Sequence, residues 1–128
     1  YDKPANLFVA DFIGSPAMNL IKGKVEKGAV VAASGARLPL PKGAPVKDGQ
    51  EVVYGIRPEH LDIGKGFDVK VSVMEPTGPE THVYADLGEE EICAVLRDRL
   101  TFKRGDTVSL APRLDRIHLF DAASGQAL

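Results

Sequence analysis

Tryptophan is absent, cysteine occurs once, and aromatic residues fill only 6% of the 128 positions. Each shortage removes a class of function. With Cys93 as the sole cysteine, no disulfide closes within the chain and no cysteine-based zinc cluster can form. Few aromatics leave little surface on which nucleic-acid bases could stack. A dominant charge is also missing: 16 Lys and Arg stand against 18 Asp and Glu, a net −2, so the chain has no general footprint for a phosphate backbone. Nucleic acid is therefore not an expected partner. No run approaches the roughly 18 apolar residues that a spanning helix needs.

The familiar chemical motifs are missing too. A phosphate-cradling loop requires GxxxxGK followed by Ser or Thr, so that backbone amides and a lysine surround the phosphates. Gly23-Lys24 and Gly64-Lys65-Gly66 are too short for that and read as turns between strands. There is no GxGxxG, no HExxH, and no GxSxG around any serine. His60, His82 and His118 have no ligand cluster around them in sequence. Glu59-His60 with Asp62 is the nearest approach to an acid/base or metal group, and it reads as a structural turn. The expectation is a chain with no catalytic residue, no metal and no bound cofactor of its own.

What is present is enough for one core. Hydrophobic residues make up 44% and charged residues 27% of a chain whose length suits one domain. Cys93 lies in the apolar run Ile92–Leu96 and reads as a small buried hydrophobe. A helical period occurs only near the start, where Ala5, Phe8, Val9 and Phe12 share one face. Asp2 can cap that helix, Pro4 fits its first turn, and Gly14 with Pro16 ends it. The chain opens at Tyr1 with neither a charged n-region nor an apolar h-region, which suggests a piece of a longer polypeptide.

Beyond Gly14 the texture becomes short β-type runs separated by glycine and proline, 13 and 9 in the whole chain. This spacing predicts an all-β barrel or sandwich. Strands are expected at 19–26, 29–33, 36–40, 51–57, 67–75, 80–87, 91–97, 107–112 and 116–121. Val69, Val71 and Val73 are expected on one face, opposite Lys70, Ser72 and Met74. Val83, Ala85 and Leu87 likewise oppose His82, Tyr84 and Asp86, so these two strands should pair. The Pro-rich stretch 38–45 belongs at a sheet edge or in a loop. Two interlocked subregions follow, about 19–57 and 67–121. Glu89-Glu90-Glu91 reads as a solvated hairpin end, whereas Arg97, Arg99, Lys103 and Arg104, interleaved with Leu96, Leu100 and Phe102, form a candidate partner surface.

Three segments carry a resemblance. Residues 1–19, including Phe8, Phe12, Ile13, Gly14, Pro16, Met18 and Asn19, resemble the junction that follows the nucleotide-binding domain in carbohydrate-import ABC ATPases of the maltose, multiple-sugar and glycerol-3-phosphate type. Gly55-Ile56-Arg57-Pro58-Glu59-His60-Leu61 is similar to the central motif of that family. Ile117-His118-Leu119-Phe120-Asp121 with Ser124-Gly125-Gln126 resembles its closing strand.

The resemblance implies a junction helix and linker at 1–18 and, at 19–128, a transport-associated regulatory region with an oligonucleotide-binding-like (OB-like) β barrel and an intertwined smaller β subregion. It implies further that a missing ATPase domain binds ATP and magnesium. A second copy of the ATPase subunit, the transporter's membrane subunits, reached through the missing domain, and a regulatory protein are the implied partners. The implied location is peripheral, on the cytoplasmic side of the plasma membrane. In the central motif, Pro58 restrains a turn flanked by Arg57 and Glu59, which are expected to bond backbone rather than sugar, while Ile56 and Leu61 face the core. The competing readings are a stand-alone oxyanion-binding module of related fold, an oligonucleotide-binding domain, and an enzyme whose active site is dispersed in sequence.

Overall fold

A computed structural model describes residues 17–97 and 100–128. The helix expected around Ala5, Phe8, Val9 and Phe12, the junction residues Ile13, Gly14 and Pro16, and Arg99 lie outside the described residues.

The described chain forms nine strands: β1 (Asn19–Glu26), β2 (Ala29–Ala32), β3 (Arg37–Pro39), β4 (Glu51–Ile56), β5 (Leu61–Pro76), β6 (Thr81–Leu87), β7 (Glu90–Leu96), β8 (Thr107–Pro112) and β9 (His118–Asp121). They build two antiparallel sheets, one ordered β3-β2-β1-β4-β9 and the other β7-β6-β5-β8. Turn chemistry fixes the first register. Lys27 and Gly28 both have positive φ, 48° and 78°, the type I′ geometry that matches strand twist in a two-residue hairpin, and Glu26 accordingly pairs with Ala29. Pro39 sits in β3 at the sheet edge, where its missing N–H interrupts no inner ladder.

Alternation places Ile21, Val25, Val30, Val52, Tyr54 and Ile56 on the inner face of the five-stranded sheet. They meet Phe67, Val69, Val71, Val83, Ala85, Ile92 and Leu110 of the other sheet in one continuous core. Tyr54 is fully buried there, and its hydroxyl donates to the Pro39 carbonyl at 2.6 Å, so the polar tip is satisfied within an apolar setting. A separate small cluster lies on the opposite face of the five-stranded sheet, with Met18, Val53 and Phe120 buried and Leu20 packed against them.

Three expectations are corrected. Neither glycine-lysine segment separates strands: Gly23-Lys24 lies inside β1, paired to both β2 and β4, and Gly64-Lys65-Gly66 is an irregularity inside β5, where pairing to β8 jumps from Ile63 to Phe67 while both positions oppose Leu110. Val73 does not share the buried face of Val69 and Val71. A bulge between Val71 and Val73 shifts the phase by one residue, leaving Val73 49% exposed and turning Met74 toward the core instead. The two subregions also exchange a strand: β9 pairs with β4 and completes the first sheet. The β5–β6 pair, with Val83, Ala85 and Leu87 buried, forms as the alternation predicted.

Candidate functional site

The central motif is the crossing from one sheet to the other. Gly55 and Ile56 end β4, Pro58–His60 form a single 3-10 turn, and Leu61 begins β5. Proline at the first position of that turn fixes φ where no intrahelical N–H is needed. The His60 N–H donates to the Arg57 carbonyl at 2.9 Å, closing the turn. Ile56 and Leu61 are 0% and 1% exposed on either side of it. Gly55 leaves room for two packed side chains: an added Cβ would stand 2.8 Å from Met18 Sδ and 3.2 Å from Phe120 Cε2. Arg57 is buried at the start of the turn, while Glu59 is exposed.

A second chain segment braces the turn. The Arg113 N–H donates to the His60 carbonyl at 2.9 Å, and the Arg113 side chain pairs with Asp62 at 3.1 Å. Burial lowers the pKa of His60; Glu59 opposes this, whereas Arg116, Arg113 and Arg57 reinforce it. The imidazole is thus held neutral at neutral pH. Its Nδ1 is buried without a hydrogen-bond partner among the described residues. Beside the turn opens a groove of about 340 Å³ lined by Glu59, His60, Asp62, Glu80, Val95, Leu96, Arg97 and Arg113.

Asn19, the last residue of the junction motif, closes the seam between the sheets. Its Oδ1 accepts from the Cys93 N–H at 2.7 Å, and its Nδ2 donates to the Cys93 carbonyl at 2.8 Å and to the Ile56 carbonyl at 3.1 Å. One buried side chain from β1 therefore ties β7 of the other sheet to the end of β4. Cys93 is buried beside it, and desolvation pushes its thiol up to about 11, which makes it a packing residue rather than a nucleophile.

The basic candidates divide into two places. Arg97, at the end of β7, pairs with Glu80 at 3.0 Å and lines the groove beside the central motif. Lys103 and Arg104 are exposed in the turn before β8, where the Lys103 N–H donates to an Asp106 carboxylate oxygen and Gly105 and Asp106 bond the Val71 backbone. Val71 lies five positions along β5 from Pro76, which is joined through Thr81 to Leu96; the two sites are about 15 Å apart along the strand direction. Sequence reasoning missed Arg113 and Arg116. Arg113 sits 51 residues from its partner Asp62, and no local pattern links such a pair. Among the described residues no group of three or more His, Cys, Asp or Glu side chains could hold a metal ion.

The chemistry of this site is positional, fixing how two sheets and the entering chain meet.

Comparison with known proteins agrees with this geometry. A MalK OB fold domain model matches residues 14–61, and a TOBE domain model matches residues 54–120, so the two meet on the central motif. An uncharacterised ABC transporter ATP-binding protein of Sinorhizobium fredii is 46% identical over 98% of this chain and 35% of its own length. The sn-glycerol-3-phosphate import ATP-binding protein of Escherichia coli K12 is 35% identical over 98% of this chain and 37% of its own length. The chain thus spans about a third of the length of the curated relatives it matches. Among solved structures, the cytoplasmic molybdate-binding protein ModG covers 79% of this chain with a TM-score of 0.63 at 17% identity, covering 94% of its own chain, which is a likeness of fold. With more than half of its residues matched by that model, the chain belongs to the TOBE domain family and is similar throughout its length to ABC transporter ATP-binding proteins.

Proposed function

We propose that this chain is the regulatory and dimerisation region of the ATP-binding subunit of an ABC importer for sugars or glycerol-3-phosphate. The observation that carries the reading is the coincidence of the two domain models, in order along the chain, with whole-chain similarity to about a third of ATP-binding proteins of importers. In this reading ATP and magnesium bind the part of the subunit outside residues 1–128, and this region performs no hydrolysis. Its partners are a second copy of the subunit and a regulatory protein, and the membrane subunits are reached through the ATPase domain. The assembly lies on the cytoplasmic face of the membrane.

The mechanism is conformational. Paired regulatory regions hold two subunits together while their nucleotide domains open and close, so ATP drives cycling without complete separation. A regulator that binds the open arrangement more tightly shifts the population toward it by its difference in affinity, and turnover slows. A domain suited to this role has a rigid interior and a well-fixed entry point for the chain. The Asn19 seam and the braced turn at Arg57–Leu61 supply both. The coding sequence immediately upstream of Tyr1 tests the assignment. An in-frame phosphate-binding loop followed by an ABC signature is the expected result, and a start codon at this boundary would overturn it.

One second reading has an observation behind it. The fold is like that of a protein solved with molybdate bound, so a stand-alone oxyanion-binding module is the alternative. Tight binding of molybdate or tungstate to the isolated chain in a calorimetric titration would favour it over the regulatory reading.

A further inference from the structure

Phe120 has no exposed surface although it faces away from the main core. Among the described residues its apolar cluster consists of Met18 and Val53, 4% and 3% exposed, with Leu20 alongside. The C-terminal segment runs alongside, with Ala127 bridged to Phe120, and among the described residues no further apolar side chain joins the cluster. The chain enters at this spot: Ala17 is exposed, Met18 lies over Gly55 and Phe120, and β1 begins at Asn19. Just upstream the sequence carries the stripe Ala5, Phe8, Val9 and Phe12 at helical spacing.

We infer that this stripe docks within the same chain on the outer face of the five-stranded sheet, covering Met18, Leu20, Val53 and Phe120. Reach confines it there. Five residues separate Phe12 from Met18, a span of at most about 20 Å when fully extended, which matches the width of roughly 19 Å across five strands. Tethering at that length gives the stripe an effective concentration that a free partner cannot match. A second copy is the weaker occupant, because four side chains fall far short of the roughly 800 Å² per partner that a stable dimer buries. A two- or three-turn helix is marginal by itself, and this face offers the apolar contact it needs. The docked stripe then fixes the direction in which any preceding domain leaves the β region. The inference stands on the cluster and the stripe, independently of the transport role.

Methionine oxidation reads it out. In the 128-residue chain, peroxide is expected to oxidise Met18 slowly, and Phe8→Ser/Phe12→Ser to raise that rate by about tenfold or more while leaving the rate at Met74, half-buried against the main core, as it was. An unchanged Met18 rate in the double variant would overturn the inference. A measurement on the unsubstituted chain removes dependence on the variant's folding: NMR contacts from the Phe8 or Phe12 rings to the Met18 and Val53 methyl groups are expected. Absence of such contacts, or their appearance only between differently labelled copies, would overturn intrachain docking.

Discussion

The side-chain amide of Asn19 pairs with the backbone of Cys93 as another strand residue would, accepting from its N–H at 2.7 Å and donating to its carbonyl at 2.8 Å. The two residues are 74 positions apart and belong to different sheets. A free β7 edge is thereby satisfied at one point, and the two sheets are tied together there.

Asn19→Ala therefore leaves the Cys93 N–H and carbonyl buried without this partner. Each such loss costs about 1–3 kcal/mol, so for the two groups a total of about 2–6 kcal/mol is expected as a lower urea midpoint. Asn19→Asp should fare no better at neutral pH, because a carboxylate cannot donate to the Cys93 and Ile56 carbonyls. A midpoint unchanged by Asn19→Ala would show that the seam holds without the amide.

Two glycines in the β5 irregularity should respond unequally. A Cβ on Gly66 would overlap the Leu110 carbonyl oxygen and crowd the Ala111 backbone, whereas one on Gly64 would meet the Ala111 side chain at 3.3 Å. Backbone cannot step aside as a methyl group can. Gly66→Ala is expected to destabilise by about 2 kcal/mol or more, and Gly64→Ala by less than about 1 kcal/mol. Thermal unfolding of the pair checks the order.

The legible part of the fold was the part governed by local pattern. Strand positions followed from alternation and from turn glycines, and β1 and β8 have their expected limits. The bulge between Val71 and Val73 escaped because one inserted residue reverses the phase without altering composition. The transfer of β9 to the first sheet escaped because strand partnership is decided by packing. Asn19 stood out through a resemblance and Arg57 through a motif, yet neither the Cys93 seam nor the Arg113 brace has any signature nearby in sequence.

Acid should weaken the crossing turn. Burial and the neighbouring Arg116, Arg113 and Arg57 depress the His60 pKa against the opposing effect of Glu59. The unfolded imidazole titrates near its ordinary value of about 6.5. The unfolded chain thus binds the proton first, and stability present above that value is lost as pH falls through the lower folded pKa. Between about pH 7 and about pH 5 the urea midpoint of the native chain should fall more than that of His60→Gln. Equal slopes would contradict this.

Alkali acts through Cys93. Its thiol is pushed up to about 11 by burial, above the ordinary value of about 8.5. The associated stability is complete below the unfolded pKa and is lost as pH rises from there through the folded one. At about pH 8 a thiol reagent should label the native chain at least about a hundredfold more slowly than the denatured chain. Comparable rates would mean that the seam beside Asn19 opens freely.

The regulatory reading is tested most directly in the assembled transporter. Residues 19–128 would be deleted from the full ATP-binding subunit, and subunit dissociation and transport-coupled ATPase activity measured side by side. The account predicts a subunit pair that separates more readily and an ATPase no longer restrained by the regulator. Unchanged pair stability together with unchanged regulation would contradict it.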